Sequence, residues 1–370
     1  MSTSDAARVA HALEEALRSG DVAAAGALAA ADADAARRSL GALARNARLL
    51  HLDLSVVAPS VGPEGPGGWE SLSVRWRVPG VDAARVTTTL RLRLVAGSTG
   101  ALVDAVAVAG QAPLWTQGPV TVARRGDVLV TVAAGPGGAD GSDGEATGAG
   151  RWLSRALDAV RTVHRVLPGW RGRLAVEVPA DGPSYDAALG VEPGERDTDA
   201  AVTTTLGDPA SSSVARVVVN PDVFTRQDAR GQRVVLAHEA THVAVGAAAS
   251  DLPLWLVEGF ADYVALRDVP VPARVSAAAL VDWVRSGGRL RRLPGDAWFS
   301  ASGERPAVAY EASWLACVAV AERWGERALV RAYVRAERGR RVGPARARVA
   351  GMTPRWLARA VMRRVSHWAA

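Results

Sequence analysis

At 370 residues the chain is long enough to bury two separate cores, and a composition of 49% hydrophobic and 22% charged residues excludes a globally disordered protein. All 44 basic residues are arginine, set against 38 acids, so the net charge of +6 is modest for this length and does not by itself demand a nucleic-acid partner. Cys317 is the only cysteine, which excludes an intrachain disulfide, and its apolar neighbours mark it as a small buried hydrophobe.

Val9, Leu13 and Leu17 recur every four residues, which predicts a short amphipathic helix from Asp5 to about Arg18. Gly20-Asp21 ends it and caps a second helical stretch that runs with breaks to about Ala47. The period then changes. Leu50 to Val56 and Leu72 to Val78 alternate apolar with polar on either side of a Pro/Gly-rich loop. Leu90 to Leu94 repeats the alternation, and Val120-Thr121-Val122 and Val128-Leu129-Val130 follow. Helices and then four to six short antiparallel strands predict an α+β domain, one face of a curved sheet packed on helices. His51 and Asp53 would share a strand face, as a ligand pocket or as solvated surface. Trp69, Trp76 and Trp115 either line a pocket or pack in the core. No catalytic constellation is visible before residue 135, and an accessory domain over 1–134 is expected.

Residues 135–150, rich in Gly with Asp and Ser and without apolar periodicity, read as a flexible linker. Beyond it, over 151–370, a helix from Trp152 to Leu167 precedes strands at Leu174–Val178, Val202–Leu206 and Val214–Val219, with a loop-rich acidic stretch over 179–200. The run Arg216 to Val219 is either an edge that an extended peptide can join or an ordinary internal strand. The remainder is helical: a helix beginning near Asp228, then Val275–Val284, Ala307–Arg323, Glu326–Arg338 and Pro354–Trp368. Thr353-Pro354 is an N-cap followed by N1, and the arginines of 331–364, interspersed with apolar positions, describe the solvated face of a bundle.

The chemistry concentrates in His238-Glu239-Ala240-Thr241-His242 and in Glu258, 16 residues beyond. Helical residues four apart lie about 40° apart in azimuth and about 6 Å along the axis, so two imidazoles can converge on one tetrahedral ion. Glu239 stands where a general base acting on metal-bound water belongs. Glu258 and Asp262 share one face of a second helix: Glu258 can ligate while Asp262 holds an imidazole tautomer by a hydrogen bond. The flanks Val234-Val235-Leu236-Ala237 and Val243-Ala244-Val245 are apolar, and acids and imidazoles in a buried helix are costly unless paired or metal-bound.

His-Glu-x-x-His followed by Trp255-Leu256-Val257-Glu258-Gly259-Phe260-Ala261-Asp262-Tyr263 resembles the gluzincin metallopeptidases, most closely the bacterial peptidase MA-like group, over about residues 150–370. The resemblance implies Zn2+ held by His238, His242 and Glu258, Glu239 as base and acid, and Asp262 as support. It also implies a downstream donor to the oxyanion, for which Tyr310 in Tyr-x-x-Ser is the best candidate; a packing role for Tyr310 stays open, and Tyr263 is the alternative donor. Glu311 reads as a helix N-terminal charge and Gly259 as a point of close helix approach. The N-terminal order of elements resembles the nuclear-transport-factor-2-like cone.

The sequence thus points to zinc-dependent hydrolysis of a peptide or protein, with endopeptidase favoured because no Gly-x-Met-Glu-Asn exopeptidase motif occurs. The alternative is a catalytically inert zinc-binding scaffold or interaction module; arginine-driven nucleic-acid binding would require a steep salt dependence. Neither a secretory signal nor an apolar run of about 18 residues is present, so the chain as written reads as cytoplasmic without a transmembrane segment. Proteins similar to this one often carry an N-terminal anchor or lipoprotein signal, so an upstream native start would make it extracytoplasmic.

Overall fold

The computed structural model describes residues 3–57, 68–98, 100–134, 148–208, 212–247, 250–300, 305–341 and 353–370. It is a mixed α+β structure with two sheets, and it divides into two compact units, Met1–Leu157 with Arg173–Gln227 and Asp158–Gly172 with Asp228–Ala370.

The first unit opens with α1 (Thr3–Ser19), α2 (Val22–Ala27) and α3 (Asp34–Leu49). Gly20 turns the chain at φ 69°, and the Asp21 carboxylate caps α2 by accepting from the Ala24 N–H at 2.9 Å. At the end of α3, Leu50 and His51 do not enter a strand as their alternation suggested. The His51 N–H donates to the Arg48 carbonyl at 3.1 Å and the Leu52 N–H to that of Ala47 at 2.9 Å, the paired bonds of a Schellman turn. His51, at φ 50°, occupies the left-handed position that glycine commonly takes, and shares no strand face with Asp53.

Strands β1 (Asp53–Val57), β2 (Trp69–Arg77), β3 (Val86–Gly97) and β4 (Gly100–Ala109) form an antiparallel meander in that order. β4 was absent from the expected strands. The register shifts between Arg93 and Leu94, and burial along β4 stops alternating after Asp104, so its period of two is broken. Leu72, Val74, Trp76, Leu90 and Leu92 pack with Leu13, Leu17, Leu40 and Leu43 of the helices in one core. Trp76 and Trp115 meet edge-on at 5.5 Å within it, a packing role, whereas Trp69 lies beneath the Arg91 and Arg93 guanidinium groups.

The second sheet runs β5 (Val120–Arg125), β6 (Val128–Ala133), β7 (Leu174–Val178), then β9 (Ser212–Val219), with β8 (Ala201–Asp208) outermost. β6, β7 and β9 are mutually parallel, while β5 and β8 run antiparallel to their neighbours. The four to six strands expected in one N-terminal sheet are therefore split: β6, with β5 on its other edge, pairs with β7 from beyond residue 150, and such a parallel ladder needs a crossover, here α4 (Ala149–Val166). Residues 135–147, most of the expected linker, lie outside the described residues, and the two compact units do not divide there. Within the stretch read as loop, α5 (Gly182–Leu189) forms, its N-terminus capped by Asp181 accepting from the Ser184 N–H at 2.8 Å. α6 (Pro221–Phe224) follows β9, with Asn220 as its N-cap.

β9 is internal, so Arg216 to Val219 is not an edge. Arg216 is 2% exposed and forks onto Asp82 at 2.7 and 2.9 Å, its Nε lies 3.3 Å from Glu177, and its guanidinium lies 5.6 Å from the Trp76 ring. The carboxylates are held in turn: Asp82 accepts from the Val78 N–H and Glu177 from the Leu114 N–H. Burial pushes Glu177 up, against the pull of Arg216.

Among the described residues the second unit contains helices only: the C-terminal part of α4, then α7 (Ala229–Val245), α8 (Leu254–Leu266), α9 (Ala273–Ser276), α10 (Ala278–Arg285), α11 (Pro306–Trp324), α12 (Glu326–Arg341) and α13 (Pro354–Ala369). The helix expected over Val275–Val284 is broken at Ala277, where α10 begins. Thr353 caps α13 as its sequence suggested, accepting from the Trp356 N–H at 3.2 Å. Among the described residues no helix is long and apolar enough to cross a membrane.

Candidate metal centre

Two helices carry the centre, and each has its own start and stop. Asp228 caps α7 by accepting from the Arg230 and Gly231 N–H groups at 3.0 and 2.7 Å, and Gly246 closes it at φ 69°. α8 follows Pro253, and its Leu254 N–H donates to the Asp296 carboxylate at 3.0 Å, a cap supplied from 42 residues away. α8 is held against α11 at Gly259: a Cβ there would lie 2.6 Å from the Ser313 carbonyl carbon, so only glycine permits this approach. Ser313 is fully buried and donates to the Ala309 carbonyl at 2.7 Å.

From α7, His238 and His242 present their Nε2 atoms to each other at 2.9 Å, rings at 83°. Glu258 Oε2 of α8 lies 3.1 Å from His238 Nε2 and 3.4 Å from His242 Nε2. His238 Nδ1 is 2.8 Å from Asp262 Oδ1, which assigns the Nδ1–H as donor and leaves the Nε2 lone pair facing the cluster. Three electron-rich atoms so converge on one point. Tetrahedral ligands about 2.0–2.2 Å from a zinc ion are separated by about 3.3–3.6 Å, a little wider than the 2.9–3.4 Å triangle seen here. Among the described residues, His238, His242 and Glu258 form the one group of His, Cys, Asp or Glu placed to hold a metal ion. His242 Nδ1 is buried without a hydrogen-bond partner.

The three side chains are electrostatically coupled. Burial opposes the imidazolium of His238, yet Asp262 and Glu258 hold it well above its usual value. Burial likewise opposes the Glu258 carboxylate, and the two imidazoles hold it far below the ordinary range. Side-chain exposures of 14% for His238 and Glu258 and 10% for His242 leave a narrow opening rather than a sealed core.

Glu239 lies on α7 beside His238, 8% exposed. Tyr310 is on α11, one turn before Ser313, half-buried and edge-on to Phe299 at 5.2 Å. Tyr263 is engaged elsewhere: its hydroxyl donates to Glu326 at 3.0 Å. Glu311 serves a helix N-terminus, that of α10 rather than its own, accepting from the Ala279 and Leu280 N–H groups at 3.3 and 2.6 Å. Cys317 is buried, and burial pushes its thiol up. The caps from Asp296 and Glu311 were not anticipated, because each acts over more than 30 residues of sequence. No protein-family model and no curated protein matches this chain.

Proposed function

We propose that this chain is a zinc-dependent peptidase of gluzincin type, related to the peptidase MA-like group and acting within peptide or protein chains. Its support is the convergence of His238 Nε2, His242 Nε2 and Glu258 Oε2 with Asp262 fixing the His238 tautomer. Zinc held there would polarise the scissile carbonyl and acidify the attacking water. Glu239 accepts the proton of that water and returns it to the leaving amine. Tyr310 donates to the oxyanion, with its ring steadied by Phe299. In the same reading, α1 to α3 against β1 to β4 form a nuclear-transport-factor-2-like cone in an accessory role.

The test couples metal analysis of the purified chain to digestion of a broad peptide library. Stoichiometric zinc in the wild type, its loss in His242→Ala, and cleavage abolished in Glu239→Gln at unchanged zinc content and thermal midpoint are the expected results. Zinc bound without cleavage by the wild type selects the inert scaffold instead, and zinc retained by His242→Ala refutes the ligand set. Tyr310→Phe should lower turnover by about 100 to 1,000-fold if the hydroxyl serves the oxyanion, and leave it nearly intact if the ring only packs.

A further inference from the structure

A second concave site lies in the helical unit, apart from the metal cluster. It is a cavity of about 240 Å³ bordered by α4, the first half of α7, and the turn after α8. Two helices each contribute a pair of arginines at helical spacing: Arg161 and Arg165 from α4, Arg230 and Arg233 from α7. The carboxylates at its border are already matched, Asp158 to Arg161 and Asp268 to Arg165. Both pairs are solvent-exposed, with side-chain exposures from 43% to 69%, so an incoming anion can displace them readily.

Arg230 and Arg233 form no ion pair among the described residues. Asp228, whose carboxylate feels both, is occupied as the cap of α7. Four guanidinium groups against two carboxylates leave the lining at +2. Its floor has the opposite character: Ala237 and Ala265 are buried, Val234 and Val269 half-buried, and Pro270 closes one side. Charge at the rim and apolar atoms beneath describe a site for an amphiphilic anion.

We infer that this cavity binds an organic phosphate, its dianionic head between the α4 and α7 arginines and its apolar body on the Val234–Ala265 floor. A phosphate monoester carries about −1.5 to −2 charge at pH 7 and offers three acceptor oxygens, which matches an excess of two guanidinium forks better than a single carboxylate does. Val234 lies one turn before His238 on α7 and Ala265 about one turn after Asp262 on α8, so the ligand would rest on the two helices that carry the metal ligands.

The test is calorimetric titration of the full chain with phenyl phosphate, beside inorganic phosphate and benzoate. Phenyl phosphate should bind one to one, more weakly in added salt, and at least tenfold more tightly than either partial ligand. Arg230→Gln with Arg233→Gln, both exposed, should lose at least tenfold in affinity while keeping the wild-type thermal midpoint and metal content. His242→Ala, and chelator-treated wild type as a second preparation lacking metal, should bind phenyl phosphate like the untreated chain. Equal affinity in the double arginine variant, equal affinity for benzoate, or loss of binding with the metal would each overturn the assignment. The last outcome would place the anion at the metal cluster and leave the peptidase reading standing.

Discussion

Replacing Gly259 with alanine adds one methyl group at the point where α8 crosses α11. The new Cβ would sit 2.6 Å from the Ser313 carbonyl carbon and closer still to its oxygen, whereas ordinary contact begins at 3.4 Å. The obstacle is backbone in a second helix, so no rotamer change relieves it and α8 must retreat by about 0.8 Å, an overpacking strain of the kind that costs about 1–3 kcal/mol. Alanine recovers about 0.5–1 kcal/mol of helix propensity, so the expected net loss is up to about 2.5 kcal/mol. The neighbouring residue is Glu258, and metal–ligand distances tolerate about 0.2 Å, so the displacement should also weaken metal binding by at least about tenfold. Denaturant midpoints and chelator competition read the two effects separately. Ser313→Gly in the same chain should not rescue either, since the clash is with the main chain. A Gly259→Ala protein as stable as wild type, with unchanged metal affinity, would refute the reasoning.

Arg216→Met should destabilise the first unit by about 3–5 kcal/mol in denaturant titrations, because Asp82 and Glu177 are left buried and uncompensated. The loss should shrink as pH falls, since protonation removes the stranded charges, beginning with Glu177, whose carboxyl burial already pushes up; a loss that grew in acid would contradict this account. Asp262→Asn should weaken metal affinity by about 10–100-fold without altering the fold, measured by chelator competition, because the amide cannot supply the charge that steadies His238 Nδ1–H at 2.8 Å. Unchanged affinity would remove Asp262 from the centre.

What was legible beforehand was local. Asp228 marks the start of the site helix, and the two histidines are one turn apart, so spacing alone brings them together. Asp262 was assigned to an imidazole from its face on α8, and it meets His238. What was left open or misread has a different origin. Whether Arg216 belongs to an edge or an interior strand depends on pairing with Asp82, 134 residues away, and on β8 folding back outside β9. Strand β4 was hidden by a bulge that disrupts alternation, and His51 by a left-handed turn in which a histidine replaces the usual glycine signal. α5 was hidden because Gly182-Pro183 reads as a breaker, although Pro in the first turn after an Asp cap is also a way to begin a helix.

The parallel ladder of β6, β7 and β9 also sets an order on synthesis. The meander β1 to β4 is complete by Ala109, and each of its strands neighbours the one before it in sequence. β6 ends at Ala133, but its parallel partner β7 is not complete until Val178, 45 residues later. At about 5–20 residues per second the nascent chain carries that gap for roughly 2–9 s. Throughout it, Val128-Leu129-Val130-Thr131-Val132 presents a bare, β-rich apolar edge to the solvent, the kind of segment that recruits other strands. A chain cut anywhere between β6 and β7 keeps that edge permanently, so truncation within the glycine-rich stretch yields half a sheet rather than a free-standing domain.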